Sequence, residues 1–241
     1  MTSMEPSNTT TVVLIHGLWM TPLAWEHWVA RYEARGITVL TPGYPGIGQG
    51  EAGLKALRDD PDVVADVGVR EVMDHLTGII SELDTPPVIM GHSFGGTFAQ
   101  LLVGNGLGSA GVSIDGAGVK GVKAMPLSEL RSTFPVLKNP ANNKRAVPLT
   151  PKEFHYAFTN TLTEEESQLA YDRYAAPTPG RILFQGGLTG GRLPSQDKRT
   201  ISQERRPVES WPGQPDDPAP VRVGESSRGP HPGRHVGVRG G

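Results

Sequence analysis

The stretch "GHSFG", Gly91 to Gly95, follows the apolar run "PPVIM" and precedes the small-residue segment "GTFAQLLV". A serine between two glycines, at the junction of a strand and a helix, has the setting of a nucleophile held on a sharp turn. The glycines let the strand and helix backbones approach closely, and the strained turn projects the Ser93 hydroxyl above the sheet. The chemistry this suits is acyl transfer: a hydroxyl attacks a carbonyl carbon and amide donors hold the oxygen that becomes negative. The amide of Phe94, at a helix N-terminus, is one candidate donor. The amide of Leu18, in the loop "HGLW" after the first strand, is the other.

Positioning these groups needs a sheet, and the sequence supplies one. "TVVLIHG", Thr11 to Gly17, is a continuous apolar run ending in glycine, as expected of a strand buried on both faces. Pro22 to Ala34 places Trp25, Trp28 and Tyr32 at helical spacing before Gly36 and the strand "ITVL", which completes a βαβ unit. "GYPGIGQGEAGL" reads as a glycine-rich loop. A helix is predicted from about Asp66 to Leu83, then the strand "PVIM", the elbow, its helix and a short strand "GVSID". The alternation predicts an α/β fold with a doubly wound, mostly parallel sheet and its chemistry at the carboxyl ends of the strands.

From Gly121 to Gln185 the alternation stops, and capping boxes at "TPKE", Thr150 to Glu153, and "TEEE", Thr163 to Glu166, announce helices. This reads as a helical lid inserted over the strand ends. Residues 186–241 differ in kind, with 11 Gly, 8 Pro and 8 Arg against 9 large apolar side chains. Such a composition buries too little apolar surface to offset its ordering entropy, and the tail is expected to be disordered. The resulting organisation is a flexible N-terminus over 1–10, a core over 11–120, a lid over 121–185 and a Gly/Pro/Arg-rich tail over 186–241.

With 23 basic and 25 acidic side chains, the charge balance gives no footprint for nucleic acid. Neither a secretory signal nor a membrane-length apolar run is present, so a cytoplasmic protein without a membrane partner is expected. The absence of cysteine excludes disulfides, thiolate metal ligands and cysteine nucleophiles. "GYPGIG" lacks the order and setting of a dinucleotide fingerprint, and no cluster has metal-ligand spacing, so no cofactor is expected.

Together, "LIHGLW", "GHSFGG" and the elements between them resemble the α/β-hydrolase superfamily, in its esterase, lipase and non-haem haloperoxidase branch. The resemblance covers roughly Thr11 to Gln185. It implies Ser93 as nucleophile, Leu18 and Phe94 as oxyanion donors, and a small-molecule acyl substrate such as a carboxylic ester. Attack of peroxide on the acyl-serine, the haloperoxidase or perhydrolase variant, stays open.

The family order is serine, then acid, then histidine. Only Asp216 or Asp217 with His231 or His235 meets it formally, and all four stand among Pro and Gly in the tail. Two explanations are carried forward: a tail read out of frame from a GC-rich gene, or a non-catalytic protein of hydrolase-like fold that at most binds a small ligand. Of the other histidines, His92 is expected to support packing with its ring away from the serine, and His16 to order the oxyanion loop. His27 and His75 are expected on surface helices and His155 in the lid at the surface or in the core. Trp19 is a candidate for lining the acyl site.

Overall fold

A computed structural model describes residues 10–116, 133 and 136–188. Four parallel strands form one sheet in the order β2-β1-β3-β4: β1 (Thr11–Ile15), β2 (Thr38–Leu40), β3 (Val88–His92) and β4 (Ala110–Ile114). Val12 aligns with Val39 on one side and Val88 on the other, and His92 aligns with Ile114. The expected parallel sheet is therefore present, with β1 and β3, the strands that lead into "HGLW" and the elbow, side by side at its centre.

Successive residues of a strand point to opposite faces, and the packing follows that alternation. Val13, Ile15 and Ile89 enter a large buried cluster with α3 (Val69–Ser81) and α4 (Phe94–Gly104). Val12, Leu14 and Met90 meet Trp25 instead, together with half-buried Val29 and Tyr32. Trp25 closes a 3₁₀ turn, Pro22–Trp25, capped by the Thr21 hydroxyl, which runs into α1 (Glu26–Glu33). Helices on both faces make the sheet doubly wound.

The glycine-rich stretch after β2 departs from the expected loop. Its second half is a helix, α2 (Gly50–Asp59), that buries Leu54 and Leu57 one turn apart. Gly50 and Gly53 lower its intrinsic propensity. The apolar pair facing the large cluster decides the outcome.

After β4 the two capping boxes form as their sequences require. Thr150 and Glu153 exchange side-chain to backbone bonds at the start of α5 (Pro151–Phe158), and Thr163 and Glu166 do so at α6 (Glu164–Tyr174). A two-residue antiparallel ladder, Ala146–Val147 with Thr178–Pro179, links this region to α7 (Gly180–Leu188). The helix α7 carries regular backbone three residues past Gln185, beyond the boundary at which the composition changes. The rest of the tail, with its expected disorder, lies outside the described residues.

This helical segment is tied to the core by polar contacts. The Arg58 guanidinium of α2 donates to the carbonyls of Tyr171, Asp172 and Ala175 at the end of α6. Arg173 pairs with Glu26 at 2.6 Å and with Glu51, and the Tyr174 hydroxyl donates to Glu26. The bond from Arg173, then that from Tyr174, holds the Glu26 carboxyl below the usual carboxylate range.

Candidate active site

Ser93 stands alone between β3 and α4 at φ 54 and ψ −125, a region that L residues rarely occupy. Two contacts show why the chain tolerates it. A Cβ on Gly95 would overlap the Ile15 carbonyl oxygen and stand 2.6 Å from that of His16; one on Gly91 would overlap the Gly95 carbonyl oxygen. Only glycine at both positions lets α4 start this close to β1 and β3. The Ser93 amide donates to the carbonyl of Ile114 at 3.0 Å, so β4 fixes the turn from its other side.

The loop after β1 lies directly against this turn. A Cβ on Gly17 would meet the Ser93 Cβ at 3.1 Å and the His92 carbonyl oxygen at 3.1 Å. Next to it, Leu18 is buried, with its side chain in the large cluster. Phe94 is the first residue of α4, where an amide has no carbonyl one turn earlier to receive it. The structure therefore brings the HGLW loop and the first turn of α4 together around Ser93.

Three non-glycine residues have positive φ among those described: Trp19 at 61, Ser93 at 54 and Asp115 at 45. Each follows the carboxyl end of a central or neighbouring strand. Backbone strain of about 1–3 kcal/mol per residue persists only where surrounding contacts hold it, and such strain gathers at functional sites. Trp19 is held by the helical segment. Its indole donates to the Val147 carbonyl at 3.1 Å, its own carbonyl accepts from Ala176, and its ring meets Phe158 edge-on at 6.3 Å.

His16 is fully buried and stacks on Tyr44, with ring centroids 4.2 Å apart. Its Nδ1 lies 2.8 Å from the Gly17 carbonyl oxygen, and the Tyr44 hydroxyl donates to its own carbonyl at 2.7 Å. Burial holds the imidazole down at about 4, so the ring is neutral at pH 7; the bond to Gly17 offsets only part of that shift. Burial likewise pushes the Tyr44 hydroxyl up. The expected loop-ordering role of His16 thus has a partner that sequence reasoning did not single out. Tyr44 is the one aromatic in a glycine and proline stretch, and that isolation was the available signal.

His92 falls on the α1 face with Met90, two residues earlier on the same strand. Burial lowers its pKa, while the Asp115 carboxylate pulls in the opposite direction. His27 and His75 are exposed, and His155 is half-buried on α5. Among the described residues no hydrogen bond joins the Ser93 hydroxyl to a histidine, and no group of three or more His, Asp or Glu has a metal-holding arrangement. Asp216, Asp217, His231 and His235 lie outside the described residues.

A parallel sheet wrapped by helices, with a strained serine between strand and helix, defines an α/β protein of the hydrolase type. The chain belongs to the alpha/beta hydrolase family, whose model matches residues 12–237. The match continues past Gln185, where the resemblance read from the sequence stops.

Among solved structures, the chain is similar to an extracellular alpha/beta-hydrolase from a Paenibacillus species, described as sharing structural and functional homology with tobacco salicylic acid binding protein 2. The identity is 25%, over 70% of this chain and 67% of that one, with a TM-score of 0.53. A methylesterase from Arabidopsis is similar in fold at 16% identity, over 74% of this chain and 70% of that one, with a TM-score of 0.48. A polyneuridine aldehyde esterase mutant is similar at 16% identity, over 73% and 71%, with a TM-score of 0.47. No curated protein matches the chain. Among the described residues no helix is long and apolar enough to cross a membrane.

Proposed function

We propose that the protein is a serine hydrolase that cleaves carboxylic esters or similar small acyl substrates through an acyl-enzyme at Ser93. The conformation of Ser93, at φ 54 between β3 and α4 and against Gly17, carries this reading. In the first half-reaction Ser93 Oγ bonds to the carbonyl carbon and its proton passes to a base. The Leu18 and Phe94 amides donate to the oxyanion, and the alcohol leaves with a proton. Water then attacks the acyl carbon by the same route and frees the acid. In this reading the segment over 121–185 serves as a lid, a role supported by the contacts of Val147, Phe158 and Ala176 with Trp19, next to Leu18.

For the acid and base the family order leaves only the formal candidates Asp216 or Asp217 and His231 or His235, which fall inside the span matched by the family model. Ester turnover should fall about 10³-fold or more both in Ser93→Ala and when the true base becomes alanine, down to the residual rate that binding and the oxyanion donors supply without them. Unchanged turnover of a p-nitrophenyl ester by Ser93→Ala would remove Ser93 from the mechanism. Turnover that falls in neither His231→Ala nor His235→Ala would take the base away from both.

A second reading, a hydrolase-like protein that binds a small ligand without turning it over, is favoured by one observation. His231 and His235, the only histidines the family order leaves for a base, stand among Pro and Gly in the sequence, a setting that orients an imidazole poorly. Absence of any Ser93-dependent turnover across acyl esters of different chain length would decide for it.

A further inference from the structure

One aromatic side chain touches both backbones that carry the proposed oxyanion donors. Tyr44, the only aromatic residue of "TPGYPGIG", is buried, and its carbonyl accepts from the Ile47 amide at 2.9 Å, closing the turn that holds it. Its ring stacks on His16, the residue after β1, and meets Phe98 of α4 edge-on, with centroids 5.6 Å apart at 84°. Phe98 is fully buried one turn after Phe94, and their rings lie 6.5 Å apart. The Tyr44 hydroxyl reaches the same place. The His16 carbonyl that accepts its 2.7 Å bond also lies against the first turn of α4, where a Cβ on Gly95 would stand 2.6 Å from it.

What these contacts fix is a peptide plane. The Gly17 carbonyl and the Leu18 N–H belong to one peptide unit. No cis peptide bond occurs among the described residues, so the two groups point in opposite directions. His16 Nδ1 lies 2.8 Å from that carbonyl, which can only accept, so the imidazole donates. The bond draws the Gly17 carbonyl to the ring and turns the Leu18 N–H the other way. Gly17 itself has no side chain to limit rotation of the plane. The imidazole therefore does the limiting, and only while the ring is itself held. Burial keeps it neutral at pH 7, and its face rests on Tyr44, with centroids 4.2 Å apart.

We propose that Tyr44 is a positioning residue of the reaction: its hydroxyl and ring hold His16, His16 holds the Gly17–Leu18 peptide, and the Leu18 amide stays aimed at the oxyanion. Tyr44 touches no reacting atom. The inference rests on the serine-hydrolase reading above and adds to it what keeps one donor in place before substrate arrives. A donor fixed in advance stabilises developing charge without first reorganising. Without the hydroxyl, the buried His16 carbonyl loses this bond, and the backbone on either side of Gly17 is free to turn toward another partner.

Steady-state hydrolysis of a p-nitrophenyl ester by the full chain tests this with Tyr44→Phe, which removes the hydroxyl and keeps the ring. Deleting an oxyanion donor costs about 10²–10³-fold in kcat, and misaiming one costs less. Acylation and deacylation both pass through an oxyanion, so kcat should fall about tenfold while KM stays as in the wild type. Ile80→Val, a small loss within the same buried cluster, should lower the urea midpoint and leave kcat unchanged. A wild-type kcat in Tyr44→Phe, a rise in KM alone, or an equal fall of kcat in Ile80→Val would overturn the inference and leave the serine-hydrolase reading standing. A wild type without Ser93-dependent turnover would overturn both. If Tyr44→Phe fails to fold, heteronuclear NMR of the wild type decides. The proton of neutral His16 should sit on Nδ1, and a proton on Nε2 would overturn the inference.

Discussion

Neighbouring residues of β1 meet very different surroundings. Val13 and Ile15 enter a cluster that extends through α2, α3, α4 and the helices after β4, whereas Val12 and Leu14 share four buried positions with Trp25 and Met90. On the thin side, Trp28 of α1 is 40% exposed and so is Val112 of β4. The difference separates two jobs. The thick face supplies the many fixed contacts that keep Ser93 and Trp19 in strained conformations, since strain survives only where packing over-determines it. The thin face is where, among the described residues, large apolar side chains such as Trp28 and Val112 stay partly exposed.

Breaking the thick side at its closest backbone approach should have the largest effect. Gly95→Ala drives a Cβ into the Ile15 and His16 carbonyls, where no flexible side chain can give way. We expect a loss of about 3 kcal/mol or more, read as a lower urea midpoint, together with loss of any ester turnover.

Next, Leu76→Ala on α3, at 0% exposure, should cost about 2–5 kcal/mol, while Val112→Ala on the thin side should cost less than about 1 kcal/mol. Similar costs at the two positions would show that the faces are equally packed.

Acidification probes the seam between the faces. The neutral His16 has a folded pKa of about 4 against an ordinary value of 6.5, so the unfolded chain binds the proton first. Stability is full above pH 6.5 and falls as pH drops toward 4, by about 2 kcal/mol between pH 7 and pH 5 from this group. His92 shifts in the same direction and adds to the slope. Carboxylates held low by their partners, such as Glu26 and Glu71, act below about 4.5 and leave this window to the histidines. Urea midpoints that stay level from pH 7 to pH 5 would contradict the burial of a neutral His16.

The smallest effect has the opposite sign. Gly78 lies exposed on α3, and a Cβ added there would have nothing within 4 Å. Gly78→Ala should raise stability by about 0.5–1 kcal/mol through helix propensity alone, seen as a higher melting temperature.

Much of the fold could be read from the residues because local and long-range signals agree. The continuous run Thr11 to Ile15 and the wide apolar stripe of α3 state their burial outright, and the two capping boxes mark helix starts that the structure realises. The helix α2 escaped because its glycines argue for a loop and only Leu54 and Leu57 argue against one; tertiary packing decides that contest. The serine and its turn were legible from glycine spacing. The pairing of His16 with Tyr44 was not, because a contact across 28 residues of sequence leaves no local periodicity. The positive φ of Asp115 was equally hidden, since nothing in "SIDG" distinguishes a strained residue from an ordinary turn.

The central claim is that the elbow holds an activated serine, and fluorophosphonate labelling followed by peptide mass analysis tests it most directly. We predict a single phosphonyl adduct on the peptide containing Ser93 and none in Ser93→Ala. A folded wild-type protein that takes up no label, or equal labelling of Ser93→Ala, would contradict it.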